Sequence, residues 1–340
     1  MRTRLRRRLT SLALALGLLA GVPAERVAAG DSARVKGTSV RLAPPEGFVP
    51  AERFAGFQNE GLRASIQVSV LAGPVSEVRK GMTKEGLAKS SMTLVTLSIE
   101  KVNGADATVV HVMQTMGGAT FSKCLVLAGD EKAAVLLVAT VPSDAEERHL
   151  SAMKAAMLAA TWDAAAPADL YEGLPFRLVP AGTLIDVKRM GNNLLLTEPG
   201  RPKEPGPRDP MYVVGVSHSA TKITDLAAFS HSRVAKTTGV REIGNFRGTA
   251  VKVAGLDAYE LLAEARDAKS GTPMFLYQVI VSDGTGYWMV VGIVALERAG
   301  EFLPTFRKLT ESIRHTPADD ARPRKPELPS EPSPDPKPVR

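Results

Sequence analysis

A six-residue phrase occurs twice in this chain. Val102-Asn103-Gly104-Ala105-Asp106-Ala107 returns 151 positions later as Val253-Ala254-Gly255-Leu256-Asp257-Ala258. Each copy sits between two strand-like runs, and the same order of elements surrounds both. A strand and a helix precede it, further strands follow, and a helix closes the set. A chain of 340 residues exceeds the size at which a single hydrophobic core keeps growing. Two copies of one fold, each with its own core, are the arrangement this repeat points to.

The first unit spans 39–163, after a short leader over 30–38. Ser39 to Leu42 alternates as a strand, and Pro44-Pro45-Glu46-Gly47 ends it. Ala64, Ile66, Val68 and Val70 alternate with Ser65, Gln67 and Ser69, the period of a strand with two different faces. A weak helix is expected over 76–91, interrupted by Gly81 and Gly86. Asn103-Gly104 predicts a tight hairpin. A second hairpin over 121–141 turns at Gly129-Asp130, and its apolar run from Ala133 to Val141 reads as a strand covered on both faces. Ser143 and Glu146 have capping-box spacing ahead of the stripe Leu150, Met153, Met157 and Ala160, with Trp162 ending the helix.

After a linker over 164–172, the second unit spans 173–316. Phe176 to Val179 is its first strand, Leu194 to Leu196 and Met211 to Val216 the next two. Between these lies a proline-rich loop over 199–210, which has no counterpart in the first unit and cannot donate ladder hydrogen bonds. A helix over 225–236, a strand holding Glu242 to Phe246, and a hairpin at Asp283-Gly284 follow. The closing stripe is Phe302, Phe306, Leu309 and Ile313. The expected class is α+β: two tandem α/β/α-sandwich domains, each an antiparallel sheet flanked by helices.

The ends of the chain have a different character. Arg2 to Arg8, the apolar run Leu12 to Leu19, and Val27-Ala28-Ala29 make 1–29 read as an export signal, too short in its apolar part to span a bilayer. Export places the protein in the periplasm or outside the cell, with no membrane span in the mature chain. Six arginines and one acid fall within 1–29, so +5 of the formal +7 lies there. The remainder is close to neutral and gives no argument for nucleic acid. From 317 to 340 there are eight prolines among five acids and five bases, the composition of a disordered Pro-rich tail.

Chemistry is hard to find in this sequence. Cys124 is the only cysteine, so neither an internal disulfide nor a cysteine-rich zinc site is available. Gly215-Val216-Ser217-His218-Ser219 lacks the last glycine of a nucleophile elbow. His218 and His231 have no metal-ligand spacing. His111 faces an apolar counterpart, Leu262, across the repeat, and reads as a packing residue. Asp106 and Asp257 follow the hairpin glycines and read as turn residues rather than an acid–base pair. Gly244-Asn245-Phe246-Arg247-Gly248 precedes a strand, not the helix a phosphate loop needs. No cofactor motif is present.

Pro44-Pro45-Glu46-Gly47-Phe48 after a first strand, the Asn103-Gly104 hairpin, and a closing helix after Val141-Pro142 together resemble the PsbP-like superfamily. The resemblance covers 39–162 and, more loosely, 173–315. It implies an antiparallel sheet between helices, and a role in binding or accessory assembly rather than catalysis. No metal or partner residues of that superfamily have matching motifs here.

The expected function is therefore a non-enzymatic binding or scaffold protein of the cell envelope, with a protein or small-molecule partner. The alternatives are a hydrolase, or a small-ligand carrier, with its site between the units or between a sheet and a helix. The features peculiar to the second unit supply the expected contact residues: Arg201, Lys203 and Arg208 of the proline-rich loop, and Tyr277, Tyr287 and Trp288 of the aromatic hairpin.

Overall fold

The computed structural model describes residues 31–116, 118–163, 169–200, 206–218 and 220–316. The expected signal, the tail over 317–340, the linker residues 164–168, and Arg201 and Lys203 lie outside the described residues.

In the first half, β1 (Val49–Pro50), β2 (Gly56–Asn59), β3 (Ala64–Ala72), β4 (Met92–Val102), β5 (Ala105–Met116), β6 (Ala119–Gly129) and β7 (Ala133–Pro142) form one antiparallel sheet. Its strand order is β1-β2-β3-β7-β6-β5-β4. Helices α1 (Val75–Arg79) and α2 (Lys84–Ala88) lie between β3 and β4, and α3 (Glu146–Leu158) follows β7. In the second half, β8 (Asp186–Met190), β9 (Asn193–Thr197), β10 (Met211–Val216), β11 (Val240–Val253), β12 (Leu256–Asp267), β13 (Pro273–Ser282) and β14 (Tyr287–Ala295) form the other sheet. Helix α4 (Leu226–Val234) precedes β11, and α5 (Ala299–Glu311) follows β14. The order β8-β9-β10-β14-β13-β12-β11 is the permutation of the first sheet again.

The repeated phrase forms the same turn in both sheets. Asn103 and Gly104 have φ of 49° and 79°, and Ala254 and Gly255 have 52° and 81°. Two successive left-handed residues suit the right-handed twist of a two-residue hairpin. Asparagine tolerates that conformation; alanine pays for its Cβ there. After each closing helix a short strand returns to pair with the start of its own half: Thr161–Trp162 with Val40–Leu42, and Arg314–His315 with Phe176–Arg177.

Alternation along the strands divides each sheet into two apolar faces. In the first half, Ile66, Val68, Val126 and Leu137 lie under Leu150, Met153 and Met157 of α3. On the other face, Val110, Val112, Leu125 and Leu127 meet Val75, Met82 and Leu87 of the α1–α2 segment. In the second half, α5 brings Phe302, Phe306 and Leu309 onto Leu196, Tyr212, Leu262 and Tyr277. Val234 of α4 packs on Leu261, Ala263 and Leu276. Each fully buried side chain of this size stabilises by about 1.5–3 kcal/mol relative to exposure. Sheet dominates both halves, and helices are few.

Four local expectations need correction. The leader over 30–38 is part of the fold: Ala33–Arg34 pairs with β-residues Arg41 and Leu42, and Val35 is buried. The helix expected to start at Ser143 opens with a 3-10 turn over Ser143–Ala145, and the N-cap of α3 is Ala145, which has no side-chain acceptor; the Glu146 side chain of the expected capping box lies outside the described residues. Trp162 stands in the returning strand rather than ending the helix. The weak helix over 76–91 splits in two, with the backbone of Gly86 seated against the carbonyl of Gly81 where a Cβ would collide.

Candidate functional site

One row of residues runs across each sheet beneath its closing helix, and the two rows are in register. In the first half it is Ile66, Ala139, Cys124, His111 and Thr96. In the second it is Tyr212, Gly292, Tyr277, Leu262 and Arg247. The helix residues above them differ in the same sense. Met153 and Met157 of α3 stand where α5 has Phe306 and Thr310.

In the second half this space is filled. Phe306 lies on Gly292, where an added Cβ would meet its ring at 2.7 Å. Its ring also packs on Tyr212 and Tyr277, with centroids 6.1 and 5.8 Å apart. The hydroxyls of Tyr212 and Tyr277 meet Oγ1 of Thr310 at 3.0 and 2.9 Å, and Thr310 donates to the Phe306 carbonyl. Burial pushes both tyrosines above their ordinary pKa, which keeps them as neutral donors. Arg307 then closes the outer side with a two-pronged bond to Glu260 on β12, at 2.6 and 3.2 Å.

In the first half the outer side of this space, where the second half has Arg307 and Glu260, is a cleft of about 270 Å³. Val109, His111 and Cys124 form its sheet side, and Leu150, Ser151 and Lys154 its helix side, with Thr96 and Ser98 at the strand edge. Part of the difference lies in the ion pair. Val109 takes the place of Glu260, so Lys154 reaches outward to Glu100 on β4 at 2.6 Å. That bond holds the Glu100 carboxyl below its ordinary pKa, and Ser98 donates to the same carboxylate at 3.2 Å. The cation is drawn to the rim instead of across the space. His111 Nε2 is 2.6 Å from Ser122 Oγ, but Ser122 is fully buried and presents no hydroxyl to the cleft. Burial pushes the Cys124 thiol up to about 11, so it is a neutral lining group rather than a thiolate nucleophile.

The seam between the halves is bound by polar contacts. Arg53, between β1 and β2, donates to Ser217 O at 3.2 Å, Ser217 Oγ at 3.1 Å, Thr285 Oγ1 at 2.9 Å and Asp283 Oδ2 at 3.1 Å. Gly286 leaves room for its guanidinium, since a Cβ there would collide with it. Asn192 accepts from Ala55 N at 3.2 Å and donates to Arg53 O. Burial raises the Asp283 pKa, but donors from Thr285 and Gly286 and the charge of Arg53 outweigh it and leave the carboxyl lowered. Nearby, Glu172 pairs with Arg34 and accepts from Gly37 N at 3.0 Å, while Arg189 donates to the carbonyls of Leu170 and Glu172 at 3.2 and 2.7 Å. A cavity of about 300 Å³ along this seam is lined by Lys36, Glu52, Phe54, Leu174, Arg189 and Thr316. It is larger than the sheet–helix cleft. Its rim ends at Thr316, where the described chain stops, and its arginine is already held by backbone carbonyls.

The expected contact residues are not gathered into one surface. Trp288 is completely buried, with Phe176 and His315 rings at 5.6 and 5.4 Å, and Tyr277 is buried beneath α5. Neither reaches a partner; both are core. Tyr287 is half-buried against Phe229 at 5.0 Å, with Arg233 over its ring at 5.8 Å. Arg208 is exposed and pairs with Glu297 at 2.6 Å. Arg201 and Lys203 lie outside the described residues.

The histidine and carboxylate candidates resolve as follows. His218 Nδ1 accepts from Gln67 of the first half at 3.2 Å, and its ring stacks on Phe54 at 6.4 Å. Its surroundings exclude enough water to lower its pKa, and Lys123 adds to the effect. The Ser217 hydroxyl also accepts from Tyr287 N at 3.2 Å, which ties it to the hairpin. His231 is exposed, edge-on to Phe246 at 5.1 Å. Asp106 and Asp257 are not turn hydrogen-bonders; they pair across their hairpins with Lys101 and Lys252, each at 2.6 Å. Among the described residues no three His, Cys, Asp or Glu side chains gather as a metal site requires. No helix among them is long and apolar enough to cross a membrane.

The sequence reads His111 as a packing residue; in the structure it lines the cleft, whereas its counterpart Leu262 is buried in the second core. The signal was present in Cys124 against Tyr277 and Met153 against Phe306, both small against large.

No family model matches the chain, and no curated protein matches it. Among solved structures, the chain is similar to LpqN of Mycobacterium tuberculosis, described as involved in cell envelope biogenesis. Identity is 18%, over 42% of this chain and 79% of that one, with a TM-score of 0.28. It is also similar to the immunity protein TplEi of the type VI secretion system of Pseudomonas aeruginosa, at 12% identity over 83% and 97%, with a TM-score of 0.29. A chain of the Tle4–Tli4 complex matches at 12% identity over 80% and 98%, with a TM-score of 0.30. Identities and TM-scores this low leave the role of the chain to its own residues.

Proposed function

We propose that this is an exported, non-enzymatic binding protein of the cell envelope, built from two PsbP-like α/β/α halves, with its ligand site in the cleft beneath α3. The observation that carries this reading is the contrast between the two halves: Leu262, Tyr277 and the Arg307–Glu260 pair close one space, and its counterpart is left open beside His111, Cys124, Val109 and Lys154. A cleft lined by three hydroxyls, an imidazole and a lysine next to Val109 and Leu150 suits a small molecule with hydrogen-bonding groups and an apolar edge. The second half and the seam serve as the frame.

The hydrolase alternative draws no support from the geometry around its candidate groups. Ser122 is buried, Ser217 is tied to Arg53 and Tyr287 N, and His218 meets an amide. The test is a thermal-shift screen of the purified protein against free amino acids, short dicarboxylates and monosaccharides, repeated with His111→Leu/Ser122→Ala. At least one of these probes is expected to raise Tm in the native protein and to lose that effect in the variant. An effect unchanged in the variant, or no effect from any probe, rejects the cleft as the site.

A further inference from the structure

Each sheet ends in a long edge strand, and the two edges are guarded differently. β11 has two register shifts against β12, between Arg241 and Gly244 and between Gly244 and Arg247. Arg241, Glu242, Arg247 and Lys252 charge it, Glu242 is braced to Arg266 at 3.2 Å, and Tyr259 lies over Gly248. Bulges and charges of this kind keep a free edge from pairing with another chain. β4 has one register shift, between Leu94 and Thr96, and runs regularly beyond it. From Val95 to Ile99 it has no charge, and Val95, Leu97 and Ile99 are 48, 50 and 58% exposed. The residues opposite in the other half's register are Phe246, Gly248 and Ala250. Leu97 and Ile99 share one face of the sheet, since they pair with Val110 and Thr108.

We propose that the β4 edge is a self-association surface, on which a second copy of this chain pairs its own β4 antiparallel about a two-fold axis. The strand is self-complementary in either possible register. An axis through Ser98 sets Leu97 of each copy against Ile99 of the other. An axis through Leu97 sets Leu97 on itself and Val95 against Ile99. Neither register opposes like charges: Glu100 and Lys101 fall opposite Thr96 and Val95 in the first and opposite Leu94 and Thr93 in the second, and within each copy they are paired with Lys154 and Asp106, each at 2.6 Å. An isologous contact of this type closes after two copies, so it yields a dimer rather than a fibre. It joins the two first-half sheets into one continuous sheet and places the two clefts beneath α3 on the same assembly.

The experiment is sedimentation velocity of the purified protein over a range of micromolar concentrations, with two variants. The native protein is expected to sediment at twice the monomer mass at the upper end. Leu97→Lys is expected to remain monomeric there, with an unchanged circular dichroism spectrum and Tm. Ala250→Lys, on the corresponding position of the other edge, is expected to dimerise as the native protein does. Oxidative cross-linking of Ser98→Cys and Leu97→Cys reports the axis without depending on the lysine variant. A native protein that stays monomeric throughout, a Leu97→Lys protein that dimerises normally, or a dimer lost through Ala250→Lys overturns the proposal. An edge occupied only by an unrelated extended peptide, with the native protein monomeric, overturns it as well.

Discussion

The two halves share a strand permutation and differ in what lies between sheet and closing helix. In the second, rings and a bidentate ion pair fill that space; in the first, smaller side chains and an outward-drawn lysine leave it open. Glycine at 292 admits the ring of Phe306, and alanine at 139 shares its core with Met153 and Met157. The copy with more aromatic residues is the one whose space is filled, and Tyr277 and Trp288 belong to its core rather than to a surface.

The largest expected effect breaks the filled half. Phe306→Ala removes the ring that Gly292, Tyr212 and Tyr277 surround, and should cost about 3–5 kcal/mol in urea denaturation. The matching truncation in the first half, Met153→Ala, should cost about 2–4 kcal/mol because the adjoining cleft already lacks contacts. Equal losses would remove the contrast.

Next comes the seam. Asp283→Ala leaves the guanidinium of Arg53 without its carboxylate and should destabilise by about 2–3 kcal/mol, allowing for partial exposure of the pair. It should also separate one urea transition into two. The native pH profile carries the same information. Asp283 has a lowered folded pKa, so its contribution is complete above the unfolded value of about 3.9 and is lost as pH falls through the folded one. The acid limb of a stability–pH curve should flatten in Asp283→Asn, and an unchanged limb contradicts the clamp.

The smallest effect sharpens the repeated turn. Ala254→Asn gives the second hairpin the Asn-Gly pair of the first and should raise stability by about 0.5–1 kcal/mol, since asparagine tolerates the left-handed conformation better than alanine. Asn103→Ala should lose a similar amount, together with the bond from Asn103 Nδ2 to Trp162 O at 3.1 Å.

Strand periodicity and the two hairpin turns were legible in the sequence because they depend on near neighbours and on the period of two. The stripes of α3 and α5 were legible for the same reason. The start of α3 was less legible: a 3-10 turn over Ser143–Ala145 shifts its N-cap from Ser143 to Ala145. Tyr277 and Trp288 were misplaced because an aromatic hairpin looks the same from sequence whether its face meets water or a helix. The cleft itself arises from cross-strand neighbours far apart in sequence, such as Val109 beneath Lys154 against Glu260 beneath Arg307. Only the repeat offset, applied to side-chain size, brings such pairs together.

The most direct measurement is an amide NMR titration of the native protein with the probe that raises its Tm most. Shifts are predicted to gather at Thr96, Ser98, His111, Ser151 and Lys154, and to be absent at the corresponding Arg247, Thr249, Leu262 and Arg307. Shifts of equal size in both sets, or shifts confined to the second half, would contradict the account.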